Sequence, residues 1–317
     1  MNSQKILTPD LPVLVLVGPT AIGKTALSLD LSKEFNCEIV SVDSMQVYRY
    51  MDIGTAKATA AERAEVRHHL IDIIDPDEQY DAARFFQDAR EAITAIHNRN
   101  KLSLLTGGTG LYLRALIDGL FTSLPIDPAI RDALKLRAEY EGIQALHKEL
   151  SVRDQASALR IHPNDEQRIL RALEILIATG IPWSNHLRSQ SEEKSGGILQ
   201  KSLQIGLTCD RETLYKRIND RCRQMLDNGL IEEVEALLSR GYDKRLNPMN
   251  AIGYRHVINY LEGKWSLQEA YEFLARDTRR YAKRQYTWFS KMSDIEWYAS
   301  PSSTEVIERV NRWMGTY

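Results

Sequence analysis

The chain has 317 residues, of which 43% are hydrophobic and 26% charged, and its formal net charge is −2. This length allows a large core plus one modest extra domain, and the composition is ordinary for a soluble globular protein. The near-neutral charge gives no global sign of nucleic-acid binding, although a local basic face stays compatible with it. With neither a signal-peptide segment nor a membrane-spanning run, we expect a cytoplasmic protein that does not bind a membrane. The three cysteines show no metal-ligand spacing and suit a reducing compartment.

The first third of the chain alternates between β-branched runs and helical patterns. Strands are predicted at 13–17, 38–42, 70–74 and 102–106, with helices at 26–35 and 83–98. Such alternation predicts an α/β fold with a parallel sheet and right-handed crossovers. Sheets of this kind bind ligands at the carboxyl ends of their strands.

The first predicted strand leads into Gly18-Pro-Thr-Ala-Ile-Gly-Lys-Thr25, which fits the pattern G-x-x-x-x-G-K-[ST] of a phosphate-binding loop. The glycines let successive backbone N–H groups face one anion, Lys24 adds a positive charge, and Thr25 offers a hydroxyl to Mg²⁺. The residues predicted to bind a diphosphate are Gly18, Pro19, Thr20, Ala21, Ile22, Gly23, Lys24 and Thr25. By itself the loop does not identify the phosphate or the bond that breaks.

Two other predicted strand ends carry residues suited to chemistry. Asp43 follows the second strand and has three interpretations: a carboxylate associated with Mg²⁺, a general base aimed at a substrate, or a turn former. The fourth strand is followed by Gly107-Gly-Thr-Gly110, a glycine cluster that any tight turn can use. Beside the phosphate loop, this cluster becomes a plausible place for close approach of a ligand.

The pattern changes between residues 125 and 199, where apolar residues recur at helical spacing and no strand is predicted. A polar break at 189–197 precedes a strand at 203–208, and residues 211–291 are predicted to be mostly helical. We therefore expect a helical insertion domain at 125–199 within one α/β core formed by 1–124 and 200–317.

Two basic clusters lie in the last third of the chain. Segment 276–291 contains six cations, one acid and four interleaved aromatic residues. A solvated helix face and contact with a phosphate backbone are both open interpretations. The other cluster could neutralise a departing phosphate and comprises Arg211, Lys216, Arg217, Arg221 and Arg223.

Taken together, these motifs resemble the tRNA dimethylallyltransferase family, in order from about residue 12 to 299. The resemblance is carried by the phosphate loop and by the segments Asp43-Ser-Met-Gln-Val-Tyr-Arg49, Asp52-Ile-Gly-Thr-Ala-Lys57, Gly107-Gly-Thr-Gly-Leu-Tyr112, Asn164–Glu174, Ala251-Ile-Gly-Tyr-Arg255 and Tyr281–Trp288. It implies a P-loop NTPase-like sheet, and transfer of a dimethylallyl group from its diphosphate to N6 of the adenosine immediately 3′ of the anticodon. The cysteine-rich zinc-finger tail of eukaryotic relatives is absent, which favours a bacterial-type, zinc-free enzyme.

The resemblance also implies roles for individual residues. Asp43 would accept the N6 proton, while Lys24 and an Mg²⁺ ion at Thr25 would stabilise the departing diphosphate. Thr109 would lie in the same channel, and either Arg217 or Arg221 would complete the pyrophosphate clamp. These six residues form the predicted catalytic set, with dimethylallyl diphosphate as donor and Mg²⁺ as cofactor.

For the tRNA anticodon stem-loop, the resemblance implies a wider contact surface on a protein expected to be monomeric. The implied contact residues are Asp43, Ser44, Met45, Gln46, Thr109, Arg131, Gln167, Arg168, Ile169, Leu170, Arg171, Asn250, Ala251, Ile252, Gly253, Tyr254 and Arg255. The helical insertion would grip the anticodon loop and the basic segment its stem, with the target base flipped out. Asn250 stands where the family commonly has a basic residue or glutamine.

Three other functions compete with this one. An ATP-dependent small-molecule kinase explains the phosphate loop and the sheet, but leaves Asp43–Gln46 and the basic segment unexplained. An adenylate isopentenyltransferase would prenylate free AMP or ADP, which does not require the insertion. A non-catalytic, nucleotide-switched RNA-binding module would bind tRNA without turnover.

Overall fold

A computed structural model describes residues 12–119, 127–192, 197–199, 201–301 and 303–316. The chain divides into two compact units, one formed by Met1–Ile117 with Ile198–Tyr317 and the other by Asp118–Gly197. The first is built on a sheet and the second on helices. Among the described residues, no helix combines the length and apolar character needed to cross a bilayer.

The first unit contains a six-stranded parallel sheet with the order β3-β2-β4-β1-β5-β6. Its strands are β1 Val13–Val17, β2 Cys37–Val42, β3 His68–His69, β4 Leu102–Gly107, β5 Ser202–Thr208 and β6 Ile295–Ala299. Every residue of β1 is buried, as expected for a central strand covered by helices on both faces. The predicted α/β class with a parallel sheet is confirmed.

Helices follow most of the strands. In chain order they are α1 Lys24–Glu34, α2 Ala60–Glu65, α3 Ala82–His97, α4 Gly110–Asp118, α5 Pro128–Glu141, α6 Ile143–Arg153, α7 Gln155–Arg160, α8 Glu166–Thr179, α9 Trp183–Glu192, α10 Arg211–Asp227, α11 Leu230–Ser239, α12 Tyr254–Leu261, α13 Leu267–Phe289 and α14 Ser303–Met314, with a 3₁₀ turn at Pro248–Asn250. Side-chain caps fix where several helices begin. The Asp81 carboxylate caps the N-terminus of α3, and Ser266 with Glu269 forms a capping box at the N-terminus of α13.

The sheet buries an apolar layer on each face. Leu14 and Leu16 of β1 point into one layer, together with Leu31 of α1. Val13, Val15 and Val17 point into the other, which includes Phe85 of α3. Because side chains alternate along a strand, both faces of β1 are fixed by its short apolar run.

The structure differs from the predicted strands in two places. The strand predicted at 70–74 is wrong, since the extended segment is His68–His69 and Ile74 makes only an isolated bridge with Tyr48. Leu70 and Asp72 have φ values of 61° and 57°, in the left-handed region, which an extended strand does not tolerate. Conversely, β6 was not predicted, because five residues after a long helix carry little periodic signal.

The second unit contains α5 to α9 around its own apolar core. Leu134, Leu146, Leu150, Ile169 and Leu173 are buried there. Leu136 and Tyr140 share the predicted helical spacing but are 67% and 94% exposed. Residues 120–126 and 193–196, which include part of the predicted polar break, lie outside the described residues.

Candidate active site

Three loops that carry candidate functional residues lie side by side, because the strands before them, β2, β4 and β1, are neighbours in the sheet. Their carboxyl ends carry Asp43–Gln46, Gly107–Gly110 and the phosphate loop, respectively. A cavity of about 770 Å³ is lined by residues from all three loops and from α10 and α13. The sheet edge thus gathers residues that are far apart in the sequence, as expected for ligand sites in parallel sheets.

The phosphate loop connects β1 directly to the first turn of α1. Gly23 has a φ of 106°, a left-handed conformation that glycine adopts without strain. Lys24 Nζ donates to the carbonyl oxygens of Gly18 and Pro19, at 2.9 and 2.8 Å. Burial, reinforced by the charge of Arg221, lowers the pKa of Lys24 to about 7, while the Asp43 carboxylate opposes this shift. Without an anion, the Lys24 ammonium is therefore easily deprotonated.

Both candidate clamp arginines extend from α10 to the phosphate loop. Arg221 Nη1 donates to Thr20 Oγ1 at 3.3 Å, and burial lowers the pKa of its guanidinium. Arg217 Nη1 lies 3.4 Å from both Ile22 O and Ser300 Oγ. The positive charge of Arg221 also helps to lower the pKa of Lys24.

Asp43 forms a turn with its own following residues. Its Oδ1 accepts from the backbone N–H groups of Met45 and Gln46, at 2.8 and 3.3 Å. Its Oδ2 accepts no hydrogen bond from any described residue, and Asp43 lines the cavity. The turn-former interpretation is thus correct for one oxygen, while the other oxygen is available to a substrate.

Thr109 joins the Asp43 loop to the glycine-rich loop. Its Oγ1 accepts from Ser44 N at 3.0 Å and donates to Ser44 Oγ at 3.4 Å. The hydroxyl of Tyr281 on α13 is directed toward the same place, and burial together with the Asp43 charge raises its pKa. Thr109 therefore contributes to the position of the loop that carries Asp43.

The glycine-rich loop lines the cavity with Gly107 and Gly108, and other parts of the protein also approach it closely. A Cβ on Gly107 would lie 2.1 Å from Val42 O, one on Gly108 2.0 Å from Gln285 Nε2, and one on Gly110 2.2 Å from Trp288. Protein packing against β2 and α13 thus accounts for these glycines without any ligand. Gln285 was not identified from the sequence.

Segment 250–255 contributes residues both to the cavity wall and to the core. Asn250, Ala251, Ile252 and Arg255 line the cavity, and Arg255 Nη2 donates to Asp277 Oδ2 at 2.7 Å. The side chain of Tyr254 is 0% exposed, and its hydroxyl donates to Glu233 Oε1 at 2.6 Å. Tyr254 also lines the cavity, so its expected tRNA contact stays a prediction, although its side chain packs in the core.

The remaining expected tRNA contacts lie in the helical unit. Arg131, Gln167 and Arg168 are exposed, whereas Arg171 Nη1 is held by Glu174 Oε2 at 2.8 Å. Ile169 and Leu170 are buried in the core of that unit. Contact of these two residues with tRNA stays a prediction, although their side chains lie on the apolar face of α8 that packs inward.

Two more residues with structural roles near the site were missed. Glu233 accepts hydrogen bonds from the backbone N–H groups of Asp52, Ile53 and Gly54, at 2.9, 2.7 and 3.1 Å. Ser300, directly after β6, donates to Ile22 O at 2.7 Å. No local pattern marks either residue, because each partner lies more than 170 positions away in the sequence.

The oxygen donors at the site suit Mg²⁺. Among the described residues, no group of three or more His, Cys, Asp or Glu side chains is arranged to hold a metal. Mg²⁺ commonly keeps several waters and uses few protein ligands beside substrate phosphates. The exposed Thr25 lies on the cavity wall at the start of α1, which fits such a role.

A phosphate loop on a parallel sheet, with an available carboxylate oxygen in the same cavity, defines a P-loop α/β protein suited to reactions of a diphosphate. The chain belongs to the IPP transferase family, whose model matches residues 46–292. This family assignment and the α/β fold confirm the corresponding predictions.

Relatives span nearly the whole chain. It is 54% identical over 303 residues to a tRNA dimethylallyltransferase of Desulfotalea psychrophila, covering 96% of each chain. The relative from Bacillus subtilis with the same name is 45% identical, with 90% of each chain covered.

Solved structures show the same fold. The tRNA isopentenylpyrophosphate transferase of Bacillus halodurans is 41% identical with a TM-score of 0.70, and the match covers 97% of each chain. A eukaryotic dimethylallyltransferase acting on tRNA is 28% identical with a TM-score of 0.81, covering 96% of this chain and 80% of the other. The relatives are prenyltransferases, which favours prenyl transfer over the kinase and binding-module alternatives.

Proposed function

We propose that this protein transfers a dimethylallyl group from dimethylallyl diphosphate to N6 of the adenosine immediately 3′ of the anticodon in tRNA. The main support is that the phosphate loop and Asp43 line one cavity, at the carboxyl ends of β1 and β2, which both pair with β4. The names of the relatives support the choice of prenyl donor and tRNA acceptor.

At the donor end, the loop amides, Lys24 and Arg221 bind the diphosphate. The C–O bond to the allylic carbon breaks, and its electron pair leaves with the diphosphate. The charge that develops on this leaving group is stabilised by the positive groups and by the positive end of the α1 dipole. Thr25 would hold Mg²⁺, which when bound supplies further neutralisation of the diphosphate.

At the acceptor end, Asp43 positions and deprotonates the N6 amine. The nitrogen forms a bond to the allylic carbon, and its proton passes to the carboxylate. Because Met45 and Gln46 amides fix Oδ1, the carboxylate keeps one orientation with Oδ2 available. An exocyclic amine is a weak nucleophile, so a positioned base and in-line placement contribute much of the rate.

For tRNA, we assign phosphate contacts to the exposed cations of α13. Arg276, Arg280, Lys283 and Arg284 are exposed there, although Asp277 pairs with the first two. In the helical unit, Arg131, Gln167 and Arg168 are exposed and are assigned to the anticodon arm. Such contacts predict tRNA affinity that falls as the salt concentration rises.

The test is incubation of the purified protein with unmodified tRNA, dimethylallyl diphosphate and Mg²⁺, without ATP, followed by mass analysis of the nucleosides. We expect an adenosine heavier by one dimethylallyl group, located 3′ of the anticodon. In a parallel incubation with ATP, a phosphorylated product that strictly requires ATP would overturn the proposal in favour of a kinase. Free AMP competing as well as an anticodon stem-loop would indicate an adenylate isopentenyltransferase.

A further inference from the structure

Gln285 connects the phosphate loop with the glycine-rich loop through a single side-chain amide. Its Oε1 accepts from the backbone N–H of Thr20 at 2.9 Å, and its Nε2 donates to the carbonyl of Gly108 at 3.0 Å. The residue is 5% exposed, and the bond to Gly108 is buried while the bond from Thr20 is partly buried. A side-chain amide supplies both the acceptor and the donor from one residue without a change of charge.

The connection continues from Gly108 to Asp43. Gly108 precedes Thr109, whose hydroxyl accepts from Ser44 N, and Ser44 follows Asp43 directly. The path therefore runs from the loop that binds the leaving group to the loop that carries the base. Among the hydrogen bonds of the described residues, no side chain directly joins the phosphate loop to the loop of Asp43.

The face of α13 that meets the glycine-rich loop is built for this contact. Tyr281, Gln285 and Trp288 lie at i, i+4 and i+7, so they share one side of the helix. Because Gly108 and Gly110 have no Cβ, Gln285 and Trp288 approach the backbone of the glycine-rich loop more closely than any side chain at these two positions would allow. A helix thus serves as the rigid support for two loops.

We propose that Gln285 is a positioning residue for prenyl transfer, which fixes the phosphate loop relative to the loop of Asp43. This inference rests on the proposed function. It does not make Gln285 a participant in bond breaking. It predicts that loss of the amide lowers the rate of the chemical step more than it lowers the affinity for tRNA, because misplacement of the reacting groups is costly.

The first test uses Gln285→Ala, with single-turnover rates at saturating donor and tRNA. We expect a rate at least about tenfold below that of the parent protein, tRNA affinity within about twofold, and a folded protein by thermal denaturation. The matched control is Gln268→Ala, an exposed glutamine on the same helix that should change neither quantity. A Gln285→Ala rate within twofold of the parent value would overturn the inference.

The second test uses Gln285→Glu, which gives a readout that a purely structural role would not produce. A protonated Glu keeps both bonds, because its carbonyl accepts from Thr20 N and its hydroxyl donates to Gly108 O. The ionised form loses the donor. An ordinary Glu ionises near pH 4.3, and burial raises that pKa. We therefore expect the ratio of its rate to that of the parent protein to fall about tenfold or more between about pH 4 and pH 8. A ratio independent of pH would contradict the two-bond role.

The third test is a double-mutant cycle with Gly108→Ala, whose new Cβ would lie 2.0 Å from Gln285 Nε2 and displace it. If both changes break the same link, the double variant should be no slower than the slower single variant. If the rate loss of the double variant equals the product of the two single losses, the two changes act independently and the proposed link is overturned.

The same cycle, measured as affinity for inorganic pyrophosphate by calorimetry, separates this inference from the proposed function. If the parent protein binds pyrophosphate but transfers no prenyl group, the proposed function fails. The link from Thr20 to Gly108 is then still supported if both single variants and the double variant weaken pyrophosphate binding by similar factors. Additive losses of affinity would overturn the link on this readout too.

Discussion

The hydroxyl of Ser300 donates a 2.7 Å hydrogen bond to the backbone carbonyl of Ile22, across 278 positions of sequence. Arg217 Nη1 lies 3.4 Å from both of these oxygens. The residue that follows the edge strand β6 therefore fixes the middle of the phosphate loop. It also holds one of the two candidate clamp arginines beside that loop.

Replacement of Ser300 by Ala should weaken pyrophosphate binding about three- to tenfold, because one hydrogen bond of typical strength is lost and the loop gains freedom. Isothermal titration calorimetry measures this directly. Ser293→Ala is the control, since Ser293 is exposed and its hydroxyl donates to neighbouring Asp294. An unchanged affinity in Ser300→Ala would show that the loop keeps its shape without this bond.

Asp43→Asn should separate turnover from binding. Asn retains an oxygen that accepts from the Met45 and Gln46 amides, so the turn should persist, but it cannot take up the N6 proton. We expect the single-turnover rate to fall by roughly 10²- to 10⁴-fold, with tRNA affinity nearly unchanged. Asp294→Asn on the surface serves as control, and a rate preserved in Asp43→Asn would require another base.

The lowered pKa of Lys24 predicts pH-dependent binding of a diphosphate. Above its pKa of about 7, the free protein holds Lys24 mostly neutral, so binding must take up a proton and weakens as pH rises. Between pH 7 and pH 8, the affinity for pyrophosphate relative to that of Lys24→Ala should decrease by up to about tenfold. Comparison with the variant at each pH cancels the titration of pyrophosphate itself.

Proton uptake provides an independent check on Lys24. At pH 8, the binding enthalpy should differ between buffers of different ionisation enthalpy, and Lys24→Ala should remove much of that difference. Equal proton uptake by the two proteins would assign the effect to another group.

Glu233→Ala should destabilise the fold without touching the phosphate loop. The carboxylate accepts from three successive amides and from the Tyr254 hydroxyl, all of which would lose their partner. Bonds to a charged acceptor contribute about 1.5–3 kcal/mol each when a partner is removed, so we expect a loss of at least about 2 kcal/mol in unfolding free energy. Urea denaturation measures it, with exposed Glu235→Ala as control, and equal stability of the two variants would contradict this role.

The phosphate loop, the strand–helix alternation and the position of Asp43 could be predicted from the sequence. Each depends on the conformation of neighbouring residues: a glycine at 23, an apolar run at 13–17, and a polar residue at a strand end. The strand predicted at 70–74 failed for a related reason. Apolar side chains occur there, yet Leu70 and Asp72 adopt left-handed backbone angles.

The sequence by itself determined that this protein carries a phosphate loop beside a candidate base on a parallel sheet, because periodicity and turn chemistry act over a few residues. Only the tertiary structure decided that Gln285 and Ser300 hold the phosphate loop, and that the side chains of Tyr254, Ile169 and Leu170 are buried. The reason is that burial and long-range hydrogen bonds depend on the strand order and on how helices cover the sheet, which no local pattern specifies.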